Sequence, residues 1–194
     1  MQTIIISGPP GCGKGTQAKL IAKYLGFEHI STGDILRREI AALTVLGKIA
    51  QARIDDGNFV SDDVACEMIT GFIKKNYYIK GMVLDGFPRT ENQCVEFDKL
   101  IEQINIKQNI CVSLVVDEDA LKARLLNRNK KYNRPDDSSI EIIEHRLRLY
   151  DERTKPVTDY YLNKGQCELV DGNGNVEEVF CNIKAVIDKY MKVN

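Results

Sequence analysis

The sequence predicts an α/β fold in which a central parallel sheet is covered by helices on both faces. Three observations carry it. Short apolar strand candidates recur along 194 residues with helical stretches between them. These strands run apolar without polar alternation, as strands buried on both sides do. The opening apolar run Thr3-Ile4-Ile5-Ile6-Ser7 leads into Gly8-Pro9-Pro10-Gly11-Cys12-Gly13-Lys14-Gly15-Thr16 and then into a helically spaced stretch. Strand, glycine turn, helix is the setting in which a phosphate-binding loop works.

Taken in order, residues 2–7 are β-branched and apolar and read as the first strand. A helix over about 14–25 follows the glycine loop, and Phe27-Glu28-His29-Ile30 is a second strand, 27–30. Residues 31–80 carry helical patterns at 33–42, 44–56 and 62–76 and no strand. Such a stretch is too long for a single crossover, so it is expected to project as a small helical lobe. Gly81-Met82-Val83-Leu84-Asp85 is the third strand, 81–85, followed by a helix at 90–104, a strand at 109–116 and a helix at 118–129. Residues 129–138, Asn-Lys-Lys-Tyr-Asn-Arg-Pro-Asp-Asp-Ser, are polar and helix-breaking and read as a functional loop. One long helix over 139–163, a strand at 166–170 and a helix at 175–191 come after it, for five strands in all.

Composition narrows the function. Hydrophobic content of 43% and charged content of 28% describe a soluble globular chain, and its length fits one domain. A net charge of −1 excludes a global basic field for nucleic acid, so any anion site must be built from local Arg and Lys clusters. No run approaches the roughly 18–20 apolar residues of a membrane span. A first strand starting at the N-terminus leaves no signal or transit segment, and a cytoplasmic location is expected. The cysteines at 12, 66, 94, 111, 167 and 181 never form Cys-x-x-Cys. Reduced thiols are expected, with neither structural zinc nor a disulfide framework.

The glycines of the loop let consecutive backbone N–H groups face an anion, and the following helix adds its positive end. Lys14 supplies a cation for the outer phosphates. Gly15 separates Lys14 from Thr16, which argues against the GTPase and transport-ATPase versions of the loop. Asp85 ends a buried strand at the edge where ligands of open α/β sheets bind, and a carboxylate there suits Mg²⁺, held directly or through water. The chain has two histidines, His29 at a strand end and His145 in a charged helix, both expected to be structural.

Three stretches in order, Gly8 to Thr16, Ser31-Thr32-Gly33-Asp34-Ile35-Leu36-Arg37 and Asp85-Gly86-Phe87-Pro88-Arg89, resemble the nucleoside monophosphate kinase family, and within it the adenylate kinases. The likeness covers essentially the whole chain. It implies a P-loop three-layer fold around a five-stranded parallel sheet, an NMP-binding lobe over 31–60 and a short lid over about 128–139. The reaction implied is ATP + AMP ⇌ 2 ADP with Mg²⁺, in a chain that acts as a monomer. By the same resemblance Gly11, Cys12, Gly13, Lys14, Gly15, Thr16, Arg124, Arg128 and Gly174 would bind ATP. Thr32, Arg37, Asn58, Phe59, Val60, Gly86, Phe87, Pro88, Arg89 and Gln93 would bind AMP. The lid arginines Arg134 and Arg146 would contact AMP's phosphate and, with Lys14 and Arg89, act in catalysis. The departures are modest: one extra residue between Arg134 and Arg146, a difference at Pro135, and Ser61 where relatives commonly carry proline.

The base preference rests on two positions. A glutamine amide at 93 offers an acceptor for adenine's amino group and a donor for the adjacent ring nitrogen. Uridylate-cytidylate kinases, the nearest rival, usually carry asparagine there and tend to have alanine in place of Thr32. A shikimate- or gluconate-type kinase would share the loop but not Gly86-Phe87-Pro88-Arg89 with Gln93. A nucleotide-sensing module without phosphotransfer is the rival from another class, and the full set of charged positions argues against it.

Overall fold

The computed structural model describes residues 1–55, 58–132 and 134–192. Residues 56 and 57, inside the expected NMP-binding lobe, and residue 133, inside the expected lid, lie outside the described residues. The elements in chain order are β1 (Gln2–Ser7), α1 (Lys14–Leu25), β2 (Glu28–Ser31), α2 (Thr32–Ala41), α3 (Val45–Asp55) and α4 (Asp62–Lys75). Then come β3 (Gly81–Asp85), α5 (Glu91–Gln103), β4 (Lys107–Val115) and α6 (Glu118–Tyr132). A 3₁₀ turn at Pro135–Asp137, α7 (Ile140–Leu149), a π-helical turn at Tyr150–Thr154, α8 (Lys155–Asn163), β5 (Cys167–Asp171) and α9 (Val176–Lys192) follow.

Among the described residues five strands form one sheet in the order β2-β3-β1-β4-β5, and every neighbouring pair is parallel. Successive side chains alternate between two cores, as a strand's period of two requires. Ile4 and Ile6 of β1, Val83 of β3 and Ile110, Val112 and Leu114 of β4 pack with α1, α6, α7 and α9. Ile5, Met82, Leu84, Cys111 and Cys167 pack on the other face with α4, α5 and α8. This double burial is why the strands carry no polar alternation. Among the described residues no helix is long and apolar enough to cross a membrane.

Between β2 and β3 the chain is helical, as expected. α2 and α3 cross so closely that a Cβ on Gly47 would sit 2.1 Å from the Glu39 carbonyl oxygen. α4 instead lays Ala65, Ile69 and Ile73 on the sheet's second core.

The helix expected over 139–163 is present from 140 to 163, but a π turn at Tyr150–Thr154 interrupts its α-helical register. Pro156 has no N–H to offer the preceding turn, and its ring crowds that turn. The backbone widens, and the Lys155 N–H reaches back five residues to the Tyr150 carbonyl. The break moves the chain from one face to the other, with Ile143 and Leu147 in the first core and Val157 and Tyr161 in the second. β4 also starts earlier than expected, because Lys107 pairs with Gln2 and its N–H bonds the Met1 carbonyl at 3.1 Å.

Candidate active site

The C-terminal ends of β1 and β3 open into a cavity of about 1100 Å³. Its floor is the glycine loop. Gly8, Gly11 and Gly13 take φ values of 135°, 86° and 100°, in the region open to glycine. A Cβ on Gly8 would stand 2.8 Å from both the Cys12 sulfur and the Leu114 carbonyl oxygen, so no larger residue fits. Lys14 folds back over the loop and donates to the carbonyls of Gly8 (2.7 Å) and Pro9 (2.8 Å). Burial pulls its pKa below the ordinary lysine value; Arg89 and Arg146 add to this, and Cys12 and Asp85 oppose it.

Asp85 stands at the end of β3, its side chain 13% exposed, with His29 Nε2 3.6 Å away. Burial alone would raise its pKa, but His29, Lys14 and Arg89 together outweigh it and hold the carboxyl below its usual range. An ionised carboxylate and the Thr16 hydroxyl on the same cavity wall are hard oxygen donors. Among the described residues no three His, Cys, Asp or Glu side chains gather around a metal position. The donor set therefore fits a cation that keeps most of its shell as water and phosphate oxygen, which is how magnesium binds.

One wall is built around Gly86. Its carbonyl accepts from the Thr32 hydroxyl at 2.9 Å and from Arg89 Nε at 2.8 Å. The Arg89 guanidinium lies over the Phe59 ring, 4.7 Å from its centroid. Burial, with Arg146 adding, pushes the Arg89 pKa down to about 10. Gln93, 2% exposed, accepts from the Arg89 backbone N–H and donates to Asp62, both at 2.7 Å. Arg37 donates to Asp34 at 2.5 Å, and with Asn58, Val60 and Pro88 it lines the same wall.

The opposite wall comes from α6, the 3₁₀ turn and α7. Arg128 grips Asp137 with two bonds, at 2.6 and 2.9 Å. Burial pulls the Arg128 pKa down, but Asp137 outweighs it and the net shift is upward. Arg146 pairs with the Asp136 carboxylate at 2.9 Å and with Asp137, whose side chain is fully buried. Burial still draws the Arg146 and Arg134 pKa values below the usual arginine range. Arg124 donates to the carbonyls of Gly172 and Asn173, at 3.0 and 3.1 Å, on the loop that carries Gly174. The 3₁₀ turn packs on α3, and His145 bonds Asn58 at 2.9 Å, so the two walls meet over the cavity.

Most of the expected site residues thus line one space. Cys12, Phe87 and Gly174 do not. Cys12 and Phe87 are each 2% exposed and belong to the two cores, so only their backbone is available to a ligand. Gly174 lies against Glu178 and Val179. Sequence reasoning missed Asp62, Asp136, Asp137 and Thr154, whose hydroxyl holds the Arg89 carbonyl at 3.1 Å. Asp136 and Asp137 were visible beside Arg134; Asp62 carried no signal beyond an acid at a helix start.

The adenylate kinase family profile matches residues 6–166. An adenylate kinase of Parabacteroides distasonis is 40% identical over 97% of this chain and 98% of its own length. One from Stenotrophomonas maltophilia is 42% identical over 95% and 98%, and one from Porphyromonas gingivalis is 39% identical over the full length of both. A match of this extent, over a chain whose glycine loop and facing arginines share one cavity, leaves a single assignment: this chain belongs to the adenylate kinase family.

Proposed function

We propose that this cavity transfers a phosphoryl group reversibly and in line from Mg-ATP to AMP, giving two ADP and balancing the adenine nucleotide pool. The observation that carries this reading is the convergence of Lys14, Arg37, Arg89, Arg134 and Arg146 on one cavity with Asp85 at its floor. Family membership gives the reaction, and the cavity's chemistry suits it.

AMP needs no general base, because a phosphate monoester with a second pKa near 6 is mostly a dianion at neutral pH. The task is to bring anions together. The backbone N–H groups of Gly11 to Thr16 cradle the ATP phosphates, and Lys14 exchanges its two carbonyl partners for phosphate oxygen. Arg37 and Arg89 grip the AMP phosphate bidentately. Arg134 from the lid, residues 128–139, and Arg146 from α7 beside it reach across toward the group in flight. Asp85 and Thr16 would hold the magnesium ion, which neutralises phosphate charge when bound. Arg124 and Arg128 line the ATP side, and Thr32 and Gln93 face the AMP base from the lobe side, with residues 31–60 as the NMP-binding lobe. Contact between the lid turn and α3 supports a closure that excludes water and suppresses ATP hydrolysis. Six free thiols support a reducing, cytoplasmic setting, and the chain acts as a monomer.

A coupled ADP-production assay with Mg-ATP and a panel of AMP, GMP, CMP and UMP tests the reading. Turnover with AMP far above the others is expected. Preference for CMP or UMP would overturn the base assignment, and turnover independent of any acceptor would overturn the transfer itself.

A further inference from the structure

We infer that Asp62 fixes the direction in which Gln93 presents its amide, and so sets the cleft's preference for a 6-amino over a 6-keto purine monophosphate. The inference rests on the reading in which Gln93 faces the AMP base.

Gln93 sits in the first turn of α5, buried yet lining the cavity. Its two amide ends have different protein partners. Oε1 accepts from the Arg89 backbone N–H, and Nε2 donates to Asp62 Oδ1, each at 2.7 Å. A backbone N–H can only donate and a carboxylate only accept, so the oxygen and nitrogen of this amide are not interchangeable. Turning it over would set N–H against N–H at Arg89 and oxygen against oxygen at Asp62.

A primary amide carries two lone pairs and two N–H bonds. One of each is committed to Arg89 and Asp62. The remaining pair is one acceptor and one donor in a fixed order. Adenine's edge offers an amino donor beside a ring-nitrogen acceptor and matches that order. A 6-keto purine offers an oxygen acceptor beside a protonated ring nitrogen, the reverse. The same anchors that favour adenine therefore reject its keto counterpart, which is selectivity by both attraction and repulsion.

Asp62 is itself held for this task. As the first residue of α4, it accepts from the Thr90 hydroxyl at 3.0 Å and the Asn92 amide at 3.3 Å through Oδ2, leaving Oδ1 to Gln93. It ties the start of α4 to the start of α5 and touches no expected substrate atom. It is a positioning residue.

The test compares kcat/KM for AMP and for inosine monophosphate, which has the same purine outline with the edge reversed. Mg-ATP is the donor, and the proteins are the unaltered chain, Asp62→Ala, Asp62→Asn and Gln93→Ala. Alanine removes the acceptor; asparagine keeps the shape but can hydrogen-bond the amide in either orientation, which covers the case in which alanine disturbs the helix starts. The Arg89 N–H still opposes the turned amide, so a partial loss is expected: the AMP-to-IMP ratio falls about tenfold in the Asp62 variants. A structural role alone would scale both substrates together. A ratio within threefold of the unaltered protein in both folded Asp62 variants, with Gln93→Ala collapsing it, overturns the role of Asp62 alone. An unchanged ratio in Gln93→Ala overturns the base reading on which it rests.

Discussion

The floor of the cleft and its lid hold their cations in opposite ways. On the floor and the wall beside it, Lys14 leans on the carbonyls of Gly8 and Pro9, and Arg89 on that of Gly86 and on the Phe59 ring. In the lid, Arg128 and Arg146 are matched by the carboxylates of Asp136 and Asp137. A carbonyl orients a cation without cancelling its charge, so Lys14 and Arg89 keep much of their positive field for incoming phosphates, with Asp85 offsetting part of it. A carboxylate cancels it, so the lid's arginines serve first to hold the turn together. Both groups of cations are partly buried, and the nature of the partner decides whether that burial serves binding or folding.

The comparison can be broken in three places. Lys14→Met should lower kcat on the order of 10³-fold while leaving thermal unfolding nearly unchanged, because the ammonium serves the substrate more than the fold. Near-normal turnover in steady-state assays would end the role given to the floor. Asp137→Ala should do the reverse, costing about 3 kcal/mol in urea unfolding, since it strips a buried carboxylate from two arginines. A loss below about 1 kcal/mol would mean that the lid pairs behave as exposed ones do. The smallest effect is expected at Thr154→Val, which removes the hydroxyl that donates to the Arg89 carbonyl. About 1 kcal/mol of stability should go, read as a lowered unfolding midpoint. No change in the midpoint would show that Arg89 is held without it.

Legibility from the sequence followed the range of the interaction. The glycine loop, Asp85 at its strand end and the five apolar runs are local patterns, and the structure has all of them within two residues of the expected bounds. The partners of the charged residues were harder to see. Arg134-Pro135-Asp136-Asp137 reads as a polar loop, and nothing local says that Asp137 turns inward to meet Arg128 and Arg146, each nine residues away. Asp62 meets Gln93 across 31 residues, and from sequence it is one more acid at a helix start, favourable there for the helix dipole alone. Pro156 did mark the break in the helix over 139–163, but the strong apolar spacing on both sides of it hid the change of face.

That break has a consequence of its own. α7 and α8 run almost end to end, yet the π turn between them accommodates one residue more than an α-helical turn would. It acts as an angular offset in a shaft. Upstream of it, Arg146 reaches the cavity while Ile143 and Leu147 grip one core; downstream, Val157 and Tyr161 grip the other. A shaft in register could not keep all of these appointments, because losing one residue from it would rotate everything on one side by about 100° against the other. The slipped turn lets one continuous rod answer to two cores and a cavity.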